Sequence, residues 1–172
     1  MGRHGGGPAE HERPQDWVEA APRPRPLSVT DLPDGAFRTE RTVRFSDCDP
    51  AGIVYTPRFV DMMSGVIEDF FPAALGLDYH GLLRDERIGL GYARIGVDFL
   101  RPGQMGDRLE FAVTVGRIGG ASAAFTLHAF RGGEEILRGT FVMVTTSLAQ
   151  HRAIPLPTPL RAALVAYQDR CR

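Results

Sequence analysis

One long stretch of the chain repeats its apolar residues at helical spacing, and it stands ahead of a long run of strands. Phe59, Met63, Val66, Ile67 and Phe70 form a stripe, while Asp61, Ser64, Glu68 and Asp69 fall on the other side. Thr56-Pro57 supplies a capping hydroxyl and a proline for the first helical position, so the spacing predicts a helix over about 57–71, stopped or kinked at Pro72. Before it, "FRTERTVRF" alternates and places Phe37, Thr39, Arg41, Val43 and Phe45 on one face. After it come a connector with a short helical turn near 78–84 and four more alternating runs: "GLGYARIGVDFLRP", "MGDRLEFAVTVGRIG", "ASAAFTLHAFR" and "EEILRGTFVMVTTS". Gly103, Gly106, Gly119-Gly120 and Gly132-Gly133 punctuate them, which reads as three successive hairpin connections and a largely antiparallel sheet. "PTPLRAALVAYQDRCR" closes the chain as a short amphipathic helix with Leu160, Leu164 and Tyr167 on one side.

One helix must therefore cover the apolar face of five strands. That order is the α+β layout of a hot-dog fold, an antiparallel five-stranded sheet wrapped around one long helix. The folded domain is expected over residues 37–172, including the short C-terminal helix. Residues 1–36, rich in Gly, Pro and charge, are expected as a flexible tail, and deletion of residues 1–30 is expected to leave stability and activity close to intact, although Trp17 and Val18 offer apolar groups that could dock. Long apolar edge strands need covering, so a homodimer is expected, with a homotetramer as the larger alternative.

Composition removes several function classes. The formal net charge is −1, which gives no general pull toward nucleic acid or an anionic membrane. All basic residues are arginine, so no lysine Schiff base and no phosphate-loop lysine is available. Cys48 and Cys171 give neither a metal spacing nor a disulfide framework, which fits a cytoplasmic location. The five histidines show no ligand spacing, so neither metal nor cofactor is expected. No run approaches the length of a membrane span.

The chemistry concentrates in "FSDCDPAGIVYTPRFVDMM", residues 45–63. Two carboxylates and a thiol occupy one turn immediately before the long helix. The stretch "DCDPAGIVYTPRF" resembles the opening of hot-dog thioesterases of the 4-hydroxybenzoyl-CoA type, and "FLRPGQMGDRLEFAVTV" resembles the Pro-Gly-x-x-Gly-Asp hairpin of the same superfamily. The resemblance covers about 38–148 and implies an acyl-CoA thioesterase acting on an aromatic or short- to medium-chain acyl group. By position it implies Asp49 as nucleophile or general base and Thr56, through its backbone N–H, as the oxyanion donor. Asp47 matches a loop-shaping position.

The residues read for themselves agree. A thioester hydrolase needs a nucleophile or base and a positive site for the oxyanion, and the first N–H groups of a helix lack intrahelical partners. Tyr55, Pro57, Ser64, Arg117, Gly120 and Ser122 complete the candidates, as substrate-binding positions. Ser64 falls where relatives carry a polar or acidic residue near the acyl ring, and Met62, Met63, Phe70 and Phe71 are divided between acyl pocket and core. Arg117 and the "GRIGGASA" turn are candidates for coenzyme A phosphates, with Arg101, Arg131 or Arg152 contributing from a neighbouring subunit. Cys48 is expected to be inert because its neighbouring carboxylates disfavour the thiolate. His128 is expected to be a core or interface residue, and His80 lies within possible reach of an acyl pocket. A dehydratase would need a helix histidine, which is missing here. A non-catalytic acyl-CoA-binding protein and a thioesterase acting on carrier-protein thioesters are the alternatives.

Overall fold

The structure, a computed structural model, describes residues 24–172. Its strands are β1 (Phe37–Thr42), β2 (Ile88–Phe99), β3 (Arg108–Ile118), β4 (Ser122–Arg131), β5 (Glu134–Ser147) and a short β6 (Arg152–Ala153). Its helices are α1 (Thr56–Phe70), α2 (Tyr79–Arg84) and α3 (Thr158–Arg170). The long strands form one antiparallel sheet in the order β1-β3-β4-β5-β2, and β6 pairs with the end of β5. α1 fills the hollow of this curled sheet, as the hot-dog layout requires.

The helical stripe is the centre of the core. Phe59, Met63, Val66, Ile67 and Phe70 are all buried, against Phe111, Phe125, Leu127, Phe141 and Met143 from the sheet. Each such side chain contributes about 2 kcal/mol from burial. Helix and sheet are in close contact at Gly139, where an added Cβ would stand 2.5 Å from the Met63 sulfur and 3.0 Å from the Phe141 ring. A side chain on β5 there would have to push Met63 aside, so glycine fits the contact.

Two expectations are corrected. β2 pairs with β5 and not with β3, so only β3–β4 and β4–β5 are hairpins. The link from Leu100 to Asp107 instead crosses the end of the sheet, where the Leu100 and Arg101 N–H groups both donate to Ile136 O and the Val43 N–H donates to Asp107 O. The regular helix ends at Phe70 as expected, and Pro72 sits in a single π turn, Phe71–Leu75, which ends at Gly76 in the left-handed region. Tyr55, not Thr56, is the N-cap of α1, and no side chain caps it.

The two edges of the sheet differ. β1 is six residues long and carries Arg38, Glu40 and Arg41, which pair with Glu110, Arg108 and Asp69 respectively. Beyond it, α3 covers the exposed edge of β3. The Tyr167 hydroxyl donates to Val113 O at 2.6 Å and accepts from the Phe37 N–H, while the Gln168 amide donates to Val115 O and Gly116 O. On the far side β2 presents twelve residues with no strand beside them among the described residues, and Ile95 and Phe99 are exposed on it.

The start of the described chain departs furthest from expectation. Residues 1–23, including Trp17 and Val18, lie outside the described residues. Residues 24–36, however, pack as a strap over the outer face of the sheet. Leu32 is buried against Ala112 and Phe130, with Leu27 and Val29 beside it. The strap is stitched to the β4–β5 hairpin by Val29 N–H to Gly133 O and Glu135 N–H to Leu27 O. Beneath it lies a buried charge network. The Glu135 carboxylate is fully buried and accepts from the Leu27 N–H at 2.9 Å, from His128 Nδ1 at 2.6 Å and from the Arg138 guanidinium. Arg138 also donates to Arg25 O at 3.1 Å. Burial pushes the Glu135 carboxyl up, but the hydrogen bonds from Arg138, His128 and the strap outweigh it and hold it below its usual range. Burial depresses His128, and the Glu135 bond only partly offsets this.

Leu32→Ala is therefore expected to lower stability by about 2 kcal/mol, read as an earlier denaturant midpoint at unchanged slope. An unchanged midpoint would mean that the strap is an idle tail. The His128 shift sets a second expectation. A histidine whose folded pKa is depressed contributes stability that is complete above its unfolded value of about 6.5 and is lost as pH falls through it. Wild type should lose stability between about pH 7 and 5, and His128→Gln should flatten that part of the profile. Parallel profiles for the two proteins would remove His128 from the account.

Candidate active site

Asp49 sits in a tight turn that its own side chain helps to close. The Gly52 N–H donates to Asp49 O and the Asp49 N–H to Ile53 O, both at 2.9 Å, with Pro50 second in the turn. Gly52 takes φ of +78°, which a side chain would resist. The Ala51 N–H donates to Asp49 Oδ1 at 2.8 Å, leaving Oδ2 without a partner among the described residues. The carboxylate is half-buried. Turn former and reactive group are thus compatible roles for one residue.

The turn is fixed to the helix start from both sides. Cys48 and Val54 form an isolated bridge, and the Tyr55 N–H donates to Asp47 O at 2.9 Å. Asp47 turns its own carboxylate back to the Arg44 N–H at 2.7 Å, a loop-shaping role. The Arg58 N–H donates to Tyr55 O, and Pro57 has no N–H to offer. The Thr56 N–H has no acceptor among the described residues. It is therefore the free donor at the positive end of α1.

Two recesses flank this point. One is an open cleft of about 580 Å³ lined by Cys48, Asp49, Tyr55, Pro57, Arg58 and Asp61. The other is a smaller apolar groove of about 290 Å³ between α1 and the end of β2, lined by Val54, Thr56, Phe59, Phe99, Pro102 and Gly103 among others. Asp49 and the helix start thus meet where an open cleft adjoins an apolar groove. A thioester spanning the two would place a polar carrier in one and an acyl group in the other.

The remaining candidates divide. Burial of the Cys48 thiol, then the nearby Asp47, Asp49 and Asp107 carboxylates, raise its pKa, so it stays a thiol. Its Sγ contacts Arg44 O at 3.5 Å. Ser64 is half-buried on α1 and donates to Val60 O at 2.9 Å. Met63, Phe70 and Phe71 are core, whereas Met62 is only half-buried. His80 is exposed beside Tyr79. His128 belongs to the strap network.

Arg117, Gly120 and Ser122 are not brought to Asp49 within one chain. They lie at the opposite end of β3, whose eleven residues span about 35 Å. There the Gly120 carbonyl accepts from the Leu156 N–H and from Arg161, a residue that periodicity gave no reason to single out. Arg101 pairs with Glu134 and Arg131 with Asp107, so neither guanidinium is uncommitted, and Arg152 is exposed. Tyr92 on β2 stands beside Ser64, a neighbour that depends on the strand order and that periodicity does not show. Among the described residues no cluster of His, Cys, Asp or Glu could hold a metal ion, and no helix is long and apolar enough to cross a membrane.

Comparison with known proteins gives this geometry a context. A 1,4-dihydroxy-2-naphthoyl-CoA hydrolase from Thermosynechococcus vestitus is 27% identical over 126 residues, covering 73% of this chain and 86% of the relative. The fold is shared with a 1,4-dihydroxy-2-naphthoyl-CoA thioesterase from Synechocystis, at a TM-score of 0.69 and 23% identity, over 76% of this chain and 96% of that one. It is shared equally with a gentisyl-coenzyme A thioesterase, at a TM-score of 0.69 and 23% identity, over 74% of this chain and 99% of that one. The family profile of the Thioesterase-like superfamily matches residues 43–164, from just after β1 to the middle of α3. The chain belongs to the Thioesterase-like superfamily and is a thioester hydrolase.

Proposed function

We propose that the protein hydrolyses aromatic acyl-CoA thioesters, with Asp49 as nucleophile or general base and the Thr56 N–H as oxyanion donor. The observation that carries this reading is the pairing of a half-buried carboxylate, one oxygen unengaged, with the uncapped start of α1 beside an apolar groove. As a nucleophile, an Asp49 oxygen attacks the thioester carbon, the C–S bond breaks, and coenzyme A leaves as thiolate. Water then opens the mixed anhydride to the free acid and restores the carboxylate. As a base, Asp49 takes a proton from the water that attacks. Either route puts negative charge on the carbonyl oxygen, which one backbone donor and the helix dipole meet. The aromatic acyl class is supported by relatives named for naphthoyl-CoA and gentisyl-CoA.

The open edge of β2 favours a homodimer as the working form. Two β2 strands pairing antiparallel about a two-fold axis would bring the far end of one sheet to the Asp49 end of the other. The partner's β4 would then lie three strands from β2, about 14 Å away. Arg117, Gly120 and Ser122 would serve coenzyme A across the interface in this way.

Asp49→Asn should lower kcat/KM on the best aryl-CoA by on the order of 10²-fold or more while the melting temperature holds. Turnover above about half that of wild type would remove Asp49 from the chemistry. Cys48→Ala should be near neutral in the same thiol-release assay, and a loss as large as that of Asp49→Asn would revive a thiol mechanism. Light scattering at low micromolar concentration should give at least twice the 18.9 kDa of one chain. A fully active species of single-chain mass would end the shared-site account.

A further inference from the structure

The link between β2 and β3 backs the Asp49 turn, and one guanidinium from outside the link ties it together. The Val54 N–H donates to Gly103 O at 2.9 Å and the Met105 N–H to Gly52 O, which makes Ile53 and Gln104 partners in an isolated bridge. No helix or strand runs through the link to fix its shape. Asp107 does so instead. Its Oδ2 accepts from the Gln104 N–H and from Arg131 Nη1, both at 2.8 Å. The same Nη1 donates to Pro102 O at 3.2 Å. Arg131 therefore holds both ends of the segment 102–107, whose middle residues are the ones bonded to the turn.

Arg131 reaches the link from a separate part of the sheet. It is the last residue of β4 and stands opposite Glu134 across the Gly132-Gly133 turn, which the strap fixes through the Val29 N–H to Gly133 O. Only 18% of the Asp107 side chain and 34% of the Arg131 side chain are exposed, so this pair is better shielded from water than an ordinary surface pair. Arg101, on the same link, pairs with Glu134 at 49% and 64% exposure and contacts no backbone group of the link, the kind of pair that contributes little. The Asp107 carboxylate also lies close enough to the turn to act on the Cys48 thiol beside Asp49.

We infer that Arg131, through Asp107 and the β2–β3 link, is a positioning residue for Asp49, holding the turn against the start of α1 without meeting the substrate. The inference rests on the role proposed for Asp49 and deepens it. It also gives Arg131 a different task from the coenzyme A contact considered from the sequence, because its bonds run inward to the link. Loosening the link moves the carboxylate and leaves the acyl and carrier recesses in place, so the cost falls on turnover and not on binding.

The test is steady-state thiol release from the acyl-CoA that wild type hydrolyses fastest, at a temperature where circular dichroism shows every variant folded. Arg131→Gln should lower kcat by about tenfold with KM held within about twofold. Arg131→Lys keeps a charged donor and should recover most of the loss, while Arg101→Gln should match wild type. In the Asp49→Asn background Arg131→Gln should cost nothing further, since two residues acting as a unit are not additive. Asp107→Asn should show the same kcat loss and the same non-additivity, and it carries the test if Arg131→Gln does not fold. A raised KM at unchanged kcat would make Arg131 a substrate contact and overturn the inference. An unchanged kcat, or a full further loss in the Asp49→Asn background, would overturn it as well, leaving the proposed function standing. Full activity of Asp49→Asn by itself would instead overturn the proposed function.

Discussion

The burial of the α1 stripe in the hollow of the sheet sets the position of nearly everything else. It fixes the helix along its axis, and its first member, Phe59, ties that packing to the chemistry. An added Cβ on Gly103 would stand 2.9 Å from the Phe59 ring and 3.1 Å from Val54. The link between β2 and β3 is thus pressed against the first turn of α1, and the Met105 N–H donates to Gly52 O from the same link. A core contact and a loop contact together hold the Asp49 turn against the helix start. The role proposed for Asp49 would need such backing, because small misplacements of a reacting group are costly.

Most of this was legible in the sequence because the signals are local. The stripe of Phe59 to Phe70, the alternation of the strands and the Asp49-Pro50-Ala51-Gly52 turn depend on neighbours a few residues away. What escaped depends on distant partners. Strand order was misread because alternation says that β2 and β3 are strands without saying which edge each takes. That error also hid Tyr92, which faces α1 only because β2 borders β5. The helix cap was misplaced by one residue because Tyr55 is held through its backbone, by Asp47 and Arg58. The strap looked like tail because Pro24 to Ala36 has no periodic face; its anchors, Glu135 and Arg138, are more than a hundred residues away.

The strap also shows how a buried carboxylate is tolerated. Glu135 is fully buried, which would be costly for an unpaired charge. A guanidinium, an imidazole and the strap's own N–H surround it instead, and the Arg138 guanidinium holds the strap again at Arg25 O. Replacing such a network by packed apolar groups is often neutral for stability, whereas removing one partner is costly because it strands a buried charge. Here the arrangement chosen is the line along which residues 24–36 cross the outer face, leaving the inner face to the helix.

The unequal edges of the sheet govern how many copies can join. A sheet with two open edges can extend without limit, each newcomer offering a fresh template, which is the route to fibres. Among the described residues one edge is short and charged, with Tyr167 and Gln168 of α3 bonded beside it, while β2 is long and has no strand on its outer side. An edge that pairs with a second copy of itself is consumed in doing so. If β2 pairs with its own copy as proposed, growth by strand addition terminates after a single step, and the long apolar strand that looks like a hazard becomes a stop.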